Sequence, residues 1–547
     1  MIMRVYLHDY PELAKIGTPE CMRWANGIFN RHARIADYLI RFYIRKAREA
    51  GHVSANAALN IADKDLEYFG MGAAAKDDLQ LSDLADARSR ACKKICSTEG
   101  ARLDIFELAA RFQQYCGLFG VDFPFEVKKT DSEMVAVNKA SAAINKVRDA
   151  RWWLRNLRKN MARRVEQVLR SMGFVRKGKA PYLSEYLYKG WLYRQSKNRD
   201  MINASEVVAD IDGVQVSVDL AECVDASVAN PENRRNELMV RIRGYEEIAD
   251  TLGYRGLLFT LTCPSRFHAQ SIGGGANKRY CGACPREAMA YLNEVWARLR
   301  ASWLRAGVKT FGFRVTEPHH DGTPHCHFFL FFNPDDVNRC KEIFGHYALQ
   351  DSPEEDGASK HRWDVVDIDP CKGTASGYIA KYISKNIDGF EVLDDIEGQC
   401  SGSDGAVRAR AWASLWGIRQ FQQIGSVSVT VWRELRRRNF FVDEDAPTDE
   451  MRALHAAADE GDWRKFVELM GGPCIRRDEQ LARPQYVESE AVRNEYDEPV
   501  KKLIGLWFKP LAARIGRFIS TRQIVWSMRR KAGVGVQVAA QPPPLDL

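Results

Sequence analysis

Apolar residues recur every third or fourth position through most of the first 200 residues, as in CMRWANGIFNRHARIADYLIRFYIRKAREAG and ARLDIFELAARFQQYCGLFG. That spacing predicts amphipathic helices. A mixed stretch follows from about 201 to 250. There IDGVQVSVDL alternates like a strand, and RRNELMVRIRGYEEIADTLG has helical period. From about 254 the pattern changes again. YRGLLFTLT is a short run of strand formers, and REAMAYLNEVWARLRASWLRAG is helical up to a stop at Gly307. KTFGFRVTE and PHCHFFLFF read as two strands joined by the turn-rich HHDGT, and TASGYIAKYISKN reads as a helix. Strand, helix, hairpin and helix in that order predict an α+β sheet domain over roughly 250–390. Beyond 440, MRALHAAADEGDWRKFVELMGG predicts a small helical hairpin and VAAQPPPLDL a disordered tail. Three regions are expected: a mainly helical one over 1–200, a mixed α+β one over 201–440, and a C-terminal helical one over 441–547. The chain shows no internal repeat.

A length of 547 residues exceeds one ordinary core, so about two to four domains are expected. A hydrophobic fraction of 45% with 28% charged residues suits a water-soluble fold. No apolar run is long enough to span a bilayer, and MIMRVYLHDYPELAK lacks a signal-peptide core, so a cytosolic, membrane-free protein is expected. Thirteen thinly spread cysteines read as free thiols. The net charge of +8 is mild, but it is concentrated. Between Lys146 and Lys179 there are twelve Lys and Arg against only Asp149 and Glu166.

The sharpest chemical feature is His325-Cys326-His327 on a predicted strand. Residues i and i+2 share a strand face, so both imidazoles project together while Cys326 faces the core. A turn at Asp321-Gly322 folds the preceding strand back and brings Glu317 toward the histidines. Two imidazoles and a carboxylate with open positions suit Mg²⁺ or Mn²⁺ shared with a phosphate. The bland alternative is a pair of solvent-facing histidines. His319 and His320 read as turn residues or DNA contacts.

The second feature is Tyr378 and Tyr382 in GYIAKYISKN. At i and i+4 they share a helix face with Lys385 at i+7, while Lys381 points elsewhere. Tyrosine can act as a covalent nucleophile when a cation or metal offsets its high pKa. An isolated YxxxY is usually a packed amphipathic helix. The two signals together are much more specific: a metal would polarise a phosphodiester, one tyrosine would attack, and the second could attack a later junction.

These residues resemble a known family. HCH fits the His-hydrophobe-His signature of HUH endonucleases, and YIAKYISK fits their Tyr-x-x-x-Tyr-x-x-Lys signature. FTLTCPSRFHA, FRVTEPHHDGTPHCHFFLFF and GYIAKYISKNIDG resemble the replication gene A proteins of tailed bacteriophages, over about 250–440. The resemblance implies a ferredoxin-like antiparallel sheet with the histidines on a central strand. It also implies a divalent metal, nicking and rejoining of single-stranded or supercoiled origin DNA during rolling-circle replication, a host helicase partner, and the host bacterial cytoplasm as location. Carried onto this chain, the metal ligands are His325 and His327, the nucleophiles are Tyr378 and Tyr382, and Lys385 is the assisting cation. Glu317 matches the third-ligand position, which varies in the family. Cys326 departs mildly, since a larger hydrophobe is commoner there.

Several weaker signals complete the picture. Arg266 and His268 are candidate phosphate contacts. Arg148, Arg151, Arg155 and Arg158 form a helical stripe beside Trp152 and Trp153, a candidate surface for single-stranded DNA; its alternative is a solvated helix with inward tryptophans. Cys281-x-x-Cys284 is half of a zinc knuckle without a second pair. SIGGGANKRYCGAC lacks the pattern of a phosphate-binding loop, so no built-in ATP-driven helicase is expected. A relaxase or transposase-type nickase, and a catalytically inactive origin-binding protein, are the competing readings.

Overall fold

Within 250–425 the sequence pattern is realised as a five-stranded antiparallel sheet. The computed structural model describes residues 10–271, 273, 275–369, 374–437, 448–509, 516–522 and 524–531, and the disordered-tail expectation lies outside them. In chain order, helix α1 (Pro231–Leu252) leads into β1 (Arg255–Thr262), and α2 (Pro285–Arg305) into the hairpin β2 (Thr310–Pro318) and β3 (Pro324–Phe332). There follow α3 (Val337–Ala348), β4 (Trp363–Asp367), α4 (Ala375–Ile387), α5 (Gly402–Trp416) and β5 (Phe421–Ile424). The strand order is β4-β1-β3-β2-β5, so the histidine-bearing β3 lies at the centre.

Every residue of β3 is buried, because helices cover both faces of the sheet. Phe329 and Phe331 pack with Phe311, Phe313 and Val315 of β2 beneath Tyr245 and Ile248 of α1 and Ile379 and Ile383 of α4. Cys326, Phe328, Leu330 and Phe332 face the other way, toward Trp296 and Trp303 of α2, Phe344 of α3 and Trp412 of α5. Each fully buried Phe contributes roughly 2 kcal/mol by removal from water. The period of two therefore fixes which residues share the face under α4: His325 and His327 do, and Cys326 does not.

Local signals set the helix ends. Pro231 opens α1 behind the cap of Asn230, whose side chain accepts from Glu232 N at 3.1 Å, and Gly253 closes it in the left-handed conformation. Thr374 caps α4 by accepting from Gly377 N at 3.0 Å. Close approach forces one glycine in the sheet. Gly312 has φ +147°, and a Cβ there would lie 1.9 Å from the Phe329 carbonyl oxygen.

Backbone contacts divide the chain into two units, 1–174 with 488–501, and 175–487 with 502–547. The sequence pattern suggests boundaries near 200 and 440. The described part of the first unit contains six α-helices, among them Ala36–Leu66 and Ala150–Ser171, with two short 3-10 turns and strand residues within 488–501. In the second unit, the helices Asp449–Asp459 and Trp463–Leu469 form the expected pair. They do not stand apart, because Leu454, Trp463 and Phe466 complete the core beneath Tyr245. The C-terminal region is also not wholly helical. Ala482–Arg493, Pro499–Phe508 and Arg517–Ser520 form a three-stranded sheet, and Ser527–Arg530 pairs with the strand Ser205–Ile211. Short alternating runs flanked by charged residues hid these strands.

Candidate metal and tyrosine site

The hairpin turn is held from several sides. Gly322 adopts φ +82°, its N–H donates to the His319 carbonyl at 2.7 Å, and Trp412 Nε1 donates to its carbonyl at 2.9 Å. Asp321 accepts from Thr323 N at 3.0 Å and from Ala269 N at 2.8 Å. The register that follows sets Glu317 directly opposite His325. Glu317 Oε2 lies 3.9 Å from Nε2 of both His325 and His327, and one donor atom from each of the three residues falls within 4.8 Å of the others. Two donors about 2.1 Å from a shared ion stand roughly 3–4 Å apart, which the 3.9 Å pairs match.

Electrostatics fit the same use. Burial pulls His325 well below the ordinary imidazole range, and His319, His327 and Lys385 add to this. His327 falls to about 3, through burial first and then Lys385 and His319. Both rings are therefore neutral, as metal ligation requires. Thr260 Oγ1 lies 3.0 Å from His327 Nδ1, which leaves Nε2 facing Glu317. His325 Nδ1 is buried without a hydrogen-bond partner among the described residues. Burial pushes the Glu317 carboxyl up against the opposing pull of Lys385 and Asn386. Asn386 donates to Glu317 Oε1, and Gln420 donates to Asn386 Oδ1 at 3.1 Å.

Helix α4 lays its tyrosine face over this cluster. The Tyr382 ring centroid is 4.4 Å from that of His327 and 5.5 Å from that of Phe329. Burial, and then the charge of Glu317, raise its phenol above the ordinary tyrosine value. Lys385, one turn on, places Nζ 3.4 Å from Glu317 Oε2. Tyr378, one turn earlier, is half-buried against the core, and Lys381 is exposed. Glu317, His325, His327, Tyr382 and Lys385 are thus brought together.

The other expected positions have partners within the chain. Arg266 makes a two-point ion pair with Asp351, at 2.7 and 2.6 Å, and His268 Nδ1 lies 3.5 Å from Asp321 Oδ1. Trp152 and Trp153 are buried, and Trp153 donates to the Val147 carbonyl at 2.8 Å, so neither is placed to stack on bases. The helical period put them on the inward face. Of the stripe, Arg151 pairs with Asp149 and Glu495, Arg155 donates to the Tyr496 hydroxyl, and Arg158 pairs with Asp78. Cys281 is exposed and Cys284 half-buried, and among the described residues neither belongs to a potential metal cluster. Sequence reading missed Thr260, Asn386, Asp395 and Tyr182. Only Thr260 carried a signal, through its strand pairing.

Residues 75–390 match the model of the bacteriophage replication gene A protein family. The chain belongs to this family. It is 40% identical to the replication gene A protein of Escherichia phage 186 over 393 residues, covering 71% of this chain and 56% of that protein. It is 39% identical to the probable replication protein P12 of Pseudoalteromonas phage PM2, covering 70% and 59%, and 33% identical to the replication gene A protein of Escherichia phage P2, covering 83% and 60%. The chain thus spans somewhat over half the length of these curated relatives. Further relatives are named probable replication endonucleases, among them one from a prophage-like region of Salmonella paratyphi A at 34% identity, covering 72% and 49%. No solved structure matches.

Proposed function

We propose that the chain initiates phage DNA replication as an endonuclease that cuts and rejoins one strand through tyrosine. The observation that carries this reading is the Tyr382 ring lying 4.4 Å from a metal-type histidine of the Glu317/His325/His327 cluster. The tyrosine oxygen attacks phosphorus, the bond from phosphorus to the 3′-oxygen breaks, and a 5′-phosphotyrosyl link forms with a free 3′-hydroxyl. The phenolic proton leaves as the 3′-oxygen gains one. The link keeps the bond energy, so a 3′-hydroxyl can reverse the reaction and rejoin the strand. Tyr378, on the same helix face, is the second nucleophile. Lys385 supplies positive charge beside the phenol and the phosphate. A Mg²⁺ or Mn²⁺ ion on Glu317, His325 and His327 would polarise the phosphodiester.

We read the five-stranded sheet as the HUH arrangement, with both histidines on its central strand. Origin DNA as substrate and a host helicase as partner belong to this reading through the family. Among the described residues no helix is long and apolar enough to cross a membrane. The relatives' names favour replication over conjugative or transposition nicking.

The test incubates the full chain with Mn²⁺ and single-stranded fragments of its own genome. A covalent protein–DNA adduct that forms with Mn²⁺ and is lost with EDTA is expected. Cleavage without an adduct would overturn the tyrosine route, and an adduct of full yield in EDTA would overturn the metal.

A further inference from the structure

Lys385 faces two carboxylates. Its Nζ is 3.4 Å from Glu317 Oε2 and 3.6 Å from Asp395 Oδ1. Glu317 Oε1 is taken by Asn386, so Oε2 is the oxygen left to face the histidines. An ammonium and a divalent cation therefore compete for the same atom. Asp395 is fixed from several sides. Its Oδ2 accepts from the Tyr182 hydroxyl, and its Oδ1 accepts from Glu397 N at 3.2 Å and Gly398 N at 3.3 Å. Helix α5 closes over it at Gly405, where a Cβ would lie 2.5 Å from Asp395 Oδ2. Tyr182 is in turn tied to the histidine hairpin, since its N–H donates to the His320 carbonyl at 3.2 Å. Asp395 is 2% exposed and Tyr182 1%.

We infer that Asp395, locked by Tyr182, is a positioning residue that receives Lys385 when a divalent cation takes Glu317. The inference rests on the metal cluster proposed above. Without Asp395, an ion on Glu317 would leave the ammonium, among the described residues, with no carboxylate inside ion-pair distance and only the longer-range pull of Glu397. With it, Lys385 keeps a counter-charge and stays beside Tyr382.

The experiment titrates Mn²⁺ into the EDTA-stripped full chain by calorimetry and needs no DNA, so it can succeed or fail independently of strand cleavage. Four proteins form a cycle: the native chain, Asp395→Asn, Lys385→Met and the double variant. Lys385→Met is expected to tighten Mn²⁺ binding by removing the competitor. Asp395→Asn is expected to weaken it about tenfold when Lys385 is present and less than about threefold when it is absent. Tyr182→Phe, a milder change that leaves the charge in place, is expected to weaken binding in the same Lys385-dependent way. Equal losses with and without Lys385, or unchanged affinity in both Asp395→Asn and Tyr182→Phe, would overturn the inference.

Discussion

Thr260→Val probes the support beneath the metal cluster. Thr260 stands opposite His327 in the β1–β3 register, and its hydroxyl is 3.0 Å from Nδ1. The ring is 7% exposed and is otherwise bounded by the rings of His325 and Tyr382. Water therefore cannot readily replace the lost partner. Valine keeps the shape and removes the hydroxyl. A net hydrogen bond of this kind contributes about 1 kcal/mol, and loss of such a partner commonly weakens metal binding 10- to 100-fold. The expected outcome is a rise of about tenfold in the Mn²⁺ dissociation constant, corresponding to ~1.4 kcal/mol. Thr260→Ser should restore most of it. Calorimetric titration of the EDTA-stripped full chain measures this directly. Binding by Thr260→Val within twofold of the native protein, or failure of serine to rescue, would refute the reasoning.

Further predictions concern stability and DNA. His327 is held at about 3 in the folded chain, against 6.5 for a free imidazole, so the unfolded state binds the extra proton first. Stability of the metal-free protein should fall as pH drops from 6.5 toward 3, by at most about 1.4 kcal/mol per pH unit for this ring. Thermal melts in EDTA should show that slope reduced in His327→Gln. Gly312→Ala should cost more than about 3 kcal/mol, since neither its φ nor the 1.9 Å approach to Phe329 can accept a methyl; denaturant melts or soluble yield would show it. Replacing Arg151, Arg155 and Arg158 by Gln should lower the slope of log affinity for single-stranded DNA against log salt by up to about 2 if they meet phosphate. An unchanged slope with reduced stability would assign them to their ion pairs alone.

The site was more legible than the domains around it. The H-x-H spacing, the Asp321-Gly322 turn and the i, i+4, i+7 spacing of Tyr378, Tyr382 and Lys385 are local rules, and register then carried Glu317 to His325. Thr260 could have been placed by pairing FTLT against HCHF. Asp395 and Tyr182 could not, because they reach the site through close packing at Gly405 and Gly322 rather than through any period. The same limit explains the C-terminal region, where the helical period was evident but its burial against Tyr245 was not. The inward faces of Trp152 and Trp153 lay within the helical pattern, which the charge of their neighbours obscured.

The central claim is that a tyrosine of α4 becomes linked to DNA, and peptide mapping of the adduct tests it most directly. Trypsin cuts after Lys372, Lys381 and Lys385, so Tyr378 and Tyr382 fall on separate peptides, 373–381 and 382–385. After Mn²⁺-dependent reaction and nuclease trimming, mass spectrometry should find the nucleotide on one or both of these peptides, and Tyr378→Phe/Tyr382→Phe should abolish it. A nucleotide carried by any other peptide, or a full-yield adduct from the double variant, would contradict the account.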